Sequence, residues 1–183
     1  MTYYGVKHLA DAFRTVRKNT IAIAQDIPED KYAFRAAPNT RTVLQLLIHL
    51  AVSPAWQQEL HSQRVASLEG YDFPGRFAEN KADEQVPRTK AEIIEMLQRS
   101  AEAFTSFLED LSEGALGESV LMPGGQSTKS RLEMLLSVKE HEMHHRAQLM
   151  LVQRMIGVVP HLTRNMQARM AAAQAQAQAK SAN

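Results

Sequence analysis

The sequence predicts an all-α protein, a four-helix bundle with a long crossover connection between its second and third helices. Two observations carry that expectation. Four segments repeat apolar side chains at alternating spacings of three and four, the period of a helix with one face in a core. Between the second and third lies EGYDFPGRFAENKADEQVP (69–87), a polar stretch with two prolines, two glycines and no period. A connection of that length permits a crossover, so these two helices need not be antiparallel neighbours.

The first segment runs roughly from Tyr4 to Asp26, with Val6, Leu9, Phe13, Val16, Thr20 and Ile23 on one face. Pro28 ends it, because proline cannot continue the ladder and restricts the residue before it. The second begins near Thr42, where Thr42 and Gln45 have the spacing of a capping box, and reaches about Leu68. Pro54 interrupts it: either the helix kinks there, or Ser53 caps a new segment with Pro54 in its first position. The third starts at Thr89 with Glu92 as box partner, carries Ile93, Leu97, Phe104, Leu108 and Leu111, and stops at Gly114. The fourth runs from about Ser130 to Ile156, with Gly157 as a C-terminal cap and Pro160 beyond. Residues 1–165 form the expected single domain. The Ala/Gln-rich tail, 166–183, reads as a frayed helix or a disordered end.

Composition narrows the functions. At 183 residues, with 44% hydrophobic and 22% charged side chains, the chain can bury a real core. Twenty-one basic against twenty acidic side chains leave a charge of +1, so the basic surface that nucleic acid requires is missing. No apolar run approaches a membrane span, and the start lacks the apolar core of a signal peptide. A cytoplasmic protein without membrane or nucleic-acid partners is the expectation. There is no cysteine, so a metal could be held only by nitrogen and oxygen donors.

The informative stretch is HEMHHRAQ (141–148). His141 and His145 are four residues apart, on one helix face and about 6 Å apart along the axis, a spacing at which two imidazoles chelate one ion. His144 competes for the second place. At about 100° per residue, His145 falls with Met134, Val138 and Val152 in the stripe facing the core, whereas His144 falls at its edge. His141 and His145 are therefore the chelating pair, and His144 is a rim or supporting residue expected to line the pocket. Two ligands rarely suffice, and His49 is the natural third, because it interrupts the apolar run VLQLLIHLA (43–51). Gln45, Ser53 and Trp56 share its face and are expected to line the pocket, as is Gln148. A lone core histidine is usually only hydrogen-bonded to its surroundings. Three on the core faces of two helices are another matter, since one ion removes the cost of burying them all. His8, His61 and His161 lack such partners and read as surface residues.

These residues resemble the DinB/YfiT-like family of metal-binding four-helix bundles. The likeness rests on IPEDKY (27–32) with FRAAP (34–38), on the single histidine of LIHLA (47–51), and on HEMHHRAQ. The last is the most specific, since the family typically carries a His-x-x-x-His pair followed by Arg-Gly-Gln; Ala147 stands here where glycine is common. The resemblance implies a crossover bundle, one nickel, zinc or similar divalent ion on three histidines, and frequently a homodimer. It also implies thiol-dependent transferase or isomerase chemistry with bacillithiol, mycothiol or a related small thiol.

An open position beside three histidines would hold a substrate thiol as the nucleophilic thiolate, ready to attack a small electrophile. A metal-dependent hydrolase ranks second, because it wants a carboxylate near the ion and Glu140 and Glu142 both project about 100° away from His141. A non-catalytic, metal-stapled dimeric stress-response module is the third reading. Nothing in the sequence assigns a catalytic base.

Overall fold

The helix starts form where side chains satisfy the free N–H groups of a first turn. In the computed structural model, which describes residues 4–181, Thr42 accepts from the Gln45 amide and Gln45 reaches back to the Thr42 amide. Thr89 and Glu92 do the same, while Ser130 accepts from the Glu133 amide. The helices so begun are α2 (Val43–Val52), α5 (Lys90–Asp110) and α7 (Arg131–Met155). With α1 (Val6–Asp26) they make the bundle: α1 packs on α5 and α7, and α2 packs on the same two. One apolar cluster joins Ile23, Leu47, Leu50, Leu97 and Leu149, and a second joins Phe13, Phe104, Leu108 and Leu135. The bundle core thus draws on all four helices. Among the described residues, no helix is long and apolar enough to cross a membrane.

At Pro54 the chain continues as α3 (Pro54–Ser62). Ser53 keeps helical angles, φ −59° and ψ −29°, its amide still bonds the His49 carbonyl, and its side chain makes no cap. The break is a kink, with proline as its cause. Pro54 has no N–H to give the Leu50 carbonyl four residues back, so that carbonyl needs another donor. Arg17 supplies it at 2.8 Å through Nη2. The same guanidinium, 1% exposed, pairs through Nε with both oxygens of Glu142 at 2.8 and 2.9 Å, and through Nη1 with the Leu97 carbonyl and Ser100. Thr20 gives Glu142 a further bond at 2.7 Å. One side chain of α1 therefore ties down α2, α5 and α7 at once.

Four features differ from the expectation or add to it. The connection taken as irregular contains a helix, α4 (Phe73–Asp83), started by Asp72, which accepts from the Gly75 amide. A helix α6 (Glu113–Leu116) and an antiparallel hairpin, β1 (Ser119–Leu121) with β2 (Thr128–Ser130), fill the gap before α7. Gly124 and Gly125, at φ +88° and +70°, form the hairpin turn, a conformation that favours glycine. The tail forms α8 (His161–Ser181), anchored by Arg164 on Asp26 and His161 on Asn19, with exposed side chains from Arg164 to Lys180. His61, expected at the surface, is buried: it lies on the core side of α3, between Gln57 and Arg131.

Candidate metal centre

Two helices bring the three predicted histidines together. His49 sits on the second turn of α2, held in place by the capped start of that helix and the kink after it. His141 and His145 stand one turn apart on α7. The Nε2 atom of His141 lies 3.1 Å from Nε2 of His49 and 3.1 Å from Nε2 of His145. The ligating atoms of all three fall within 4.8 Å of one another.

The outer ring nitrogens decide what these inner atoms carry. His49 Nδ1 is 2.9 Å from a carboxylate oxygen of Glu84, and His145 Nδ1 is 2.9 Å from the amide oxygen of Gln148. Both partners only accept, so both Nδ1 atoms carry the proton and, in a neutral ring, both Nε2 atoms present a lone pair. Each lone pair points at His141 Nε2, which has one proton at most to give. At least one contact therefore sets lone pair against lone pair, and a cation between the three nitrogens removes the conflict. The spacing fits, since nitrogens tetrahedrally placed about 2.0–2.1 Å from an ion are roughly 3.3 Å apart.

Electrostatics keep the lone pairs available. Burial pushes His49 and His141 down from the ordinary 6.5 to about 4, with the Arg41 charge and the neighbouring imidazoles adding to the effect. His145 is also lowered by burial, against an opposing hydrogen bond to Gln148. All three rings are neutral at pH 7, the form that binds metal.

Glu84, which sequence reasoning passed over, holds the centre from behind. It follows the last turn of α4 and its side chain is 5% exposed. One oxygen orients His49, and the other accepts from Arg41 Nε at 2.8 Å. A carboxylate on the outer nitrogen of a ligating histidine fixes its tautomer and strengthens it as a donor. Its signal lay in Asp72 and Pro74, which mark a helix start inside the connection.

The triad opens onto a cleft of about 1060 Å³, large enough for a metabolite-sized ligand. Gln45, Ser53, Trp56 and Gln148, expected at the pocket, line it. His144 does not; it stands exposed at the rim, where the Gln148 amide lies 3.1 Å from its Nε2 and links it to His145. Glu142 faces Arg17 on the opposite side of α7, and Glu140 is exposed.

Comparisons with known proteins agree with this architecture. The sequence profile of the DinB superfamily matches residues 12–149. A DinB-like protein from Bacillus cereus is similar in structure, at TM-score 0.67 and 14% identity, over 87% of this chain and 97% of its own. A DinB-like protein from Bacillus subtilis gives TM-score 0.61 and 19% identity, over 81% and 91%. YfiT from Bacillus subtilis, described as a probable metal-dependent hydrolase with an unusual four-helix bundle topology, gives 0.65 and 16%, over 84% and 88%. At these identities the likeness shows the fold. No protein of curated function shows significant similarity.

Proposed function

Because the chain belongs to the DinB superfamily, we propose that it is a divalent-metal-dependent enzyme that transfers a small thiol to an electrophile. The observation that carries this reading is the convergence of three neutral imidazoles, each aiming Nε2 at one point on the wall of a large cleft. His49, His141 and His145 would hold one ion per chain, nickel or zinc, since imidazole nitrogens suit both. When bound, the ion would supply Lewis acidity, favouring the anionic form of a thiol or water that reaches it near neutral pH. Glu84 and Gln148 fix the rings of His49 and His145 so that their lone pairs face inward. In the reaction, a C–S bond forms between the thiol sulfur and an electrophilic carbon. The leaving group takes the electron pair of the broken bond, and the thiol proton passes to solvent.

Metal-dependent hydrolysis is the second reading, favoured by the fold shared with YfiT. It needs a group that can take a proton from water. Glu84 is the one carboxylate lining the cleft, and both its oxygens are engaged, by His49 and Arg41. Thiol transfer does not need that base, which ranks it first. A purely structural metal staple fits less well, because structural sites are closed by four ligands and this one opens into a cleft.

The test loads the protein with zinc or nickel and offers a panel of low-molecular-weight thiols with a generic alkylating electrophile, beside ester and amide substrates. A thiol-dependent rate that a chelator abolishes supports transfer. Metal-dependent cleavage of the esters or amides alone would replace transfer by hydrolysis. No metal-dependent rate with any of them would sink the enzyme reading.

A further inference from the structure

The cleft that holds the three histidines is unevenly charged. Its lining includes three cationic side chains, Arg35, Arg41 and Lys81, against the single carboxylate of Glu84. The protein as a whole is close to neutral, at +1, so this excess is local. The cations are not equivalent. Arg35 turns its Nη1 to the loop carbonyls of Thr40 and Pro38. Lys81 is exposed on α4 and makes no hydrogen bond among the described residues. Arg41 alone is braced: its Nε is fixed 2.8 Å from Glu84, whose own side chain is 5% exposed and also holds His49. Its two Nη groups make no hydrogen bond among the described residues, and the side chain is 40% exposed toward the cleft.

Arg41 is also close to the reacting position. The Glu84 carboxylate that accepts from Arg41 Nε at 2.8 Å also holds Nδ1 of His49 at 2.9 Å, so one side chain separates the guanidinium from the triad. Among uncharged polar side chains such as Gln45, Asn80 and Gln85, the cleft also carries apolar wall residues, Trp56, Phe77 and Leu151. A guanidinium anchored through Nε keeps its Nη1/Nη2 edge free, and that edge matches the two oxygens of a carboxylate. A lysine in its place would keep the charge and lose the fork.

We infer that Arg41 is the specificity-determining residue of the cleft: braced by Glu84, it receives a carboxylate carried by a small, partly apolar ligand. The inference rests on the reading of this cleft as the substrate site and adds the class of substrate, an amphipathic carboxylic acid. The carboxylate belongs to either the thiol or its electrophilic partner. The apolar remainder lies against Trp56, Phe77 and Leu151. Glu84 then has two roles, since the same carboxylate orients a proposed metal ligand and the residue that aligns the substrate.

Trp56 is the only tryptophan and lines the cleft, so its fluorescence reports occupancy directly. The experiment titrates chelator-treated, metal-free protein with 4-phenylbutyrate and with its uncharged amide of the same shape. Wild type is expected to bind the acid at least about 10-fold more tightly, the range for hydrogen bonds to a charged group. Arg41→Gln should bring acid and amide to equal affinity, Arg41→Lys should keep only part of the preference, and Lys81→Gln should leave it within about 2-fold. Thermal melts of each variant establish that the fold is kept. Equal binding of acid and amide by wild type, no saturable response to the acid, or full preference in Arg41→Gln would overturn the inference. A zinc titration of the same protein separates it from the broader reading. Zinc binding without acid preference removes the role of Arg41 and leaves the metal site standing; acid preference in a protein that binds no zinc does the reverse.

Discussion

Two centres in this molecule contain buried histidines, and their ring nitrogens meet different things. At His61, Arg131 donates to Nδ1 at 3.0 Å and Nε2 lies 2.9 Å from the Gln57 side-chain oxygen, so a neutral ring finds one donor and one acceptor. Arg131 is completed in turn by Glu118 and the Val65 carbonyl. At the triad, the outer nitrogens of His49 and His145 find acceptors, but the inner ones find only each other. Basicity does not separate the two centres: His49, His61 and His141 are all pushed down to about 4, chiefly by desolvation. Complementarity does. In one network every donor meets an acceptor; in the other, ring nitrogens that carry lone pairs converge on one another, as metal ligands do.

Substitutions in the closed clusters are expected to act by unfolding, and those in the open one by loss of metal. The largest stability effect is expected at Arg17 and Glu142, the most completely paired cluster. Glu142→Ala leaves a buried guanidinium uncompensated and should cost about 3–5 kcal/mol in urea unfolding. A loss below about 1 kcal/mol would mean the pair is solvated. Next comes Glu84→Gln, which keeps the shape but weakens the hold on His49. Zinc affinity should fall about 10–100-fold, read by competition with a chromophoric chelator; an unchanged affinity would remove Glu84 from the centre. His61→Ala should cost about 1–2 kcal/mol by stranding a donor of Arg131. It should leave zinc affinity within about 2-fold, and a large loss of zinc would collapse the contrast between the centres.

The last test is the pH dependence, read as a slope rather than as a loss at one pH. His49, His61 and His141 stay neutral in the fold down to about 4, whereas in the unfolded chain they protonate near 6.5. The unfolded state therefore binds protons first, and metal-free protein should lose stability as pH falls from about 6.5 to about 4. From these groups there is no dependence above that window. A His61→Gln variant should show a shallower decline, and an equal slope would mean that His61 is not held neutral.

The bundle was legible in the sequence because capping boxes and the 3–4 period are local signals. His141 and His145 were legible for the same reason, and His49 because a polar residue interrupted an apolar run. What escaped depends on contacts between distant segments. Glu84 becomes buried only because α4 folds back against α2, and no period in 69–87 announces that. Arg17 had a signal that went unused: four residues after Phe13 and three before Thr20, it shares their buried face. A charge in that register calls for a buried partner, and Glu142 is that partner. His61 read as a surface residue because no second histidine stands at chelating spacing from it; its partners are Gln57 one turn back and Arg131, which is far away in sequence and reaches it only in the fold.

The most direct test of the central claim is a zinc titration of untagged protein beside His141→Ala and His61→Ala, with bound metal counted by elemental analysis. The account predicts about one zinc per chain in wild type and in His61→Ala, and none retained in His141→Ala. Zinc retained by His141→Ala, or bound by none of the three proteins, would contradict it, and the convergent histidines would then be core packing like His61.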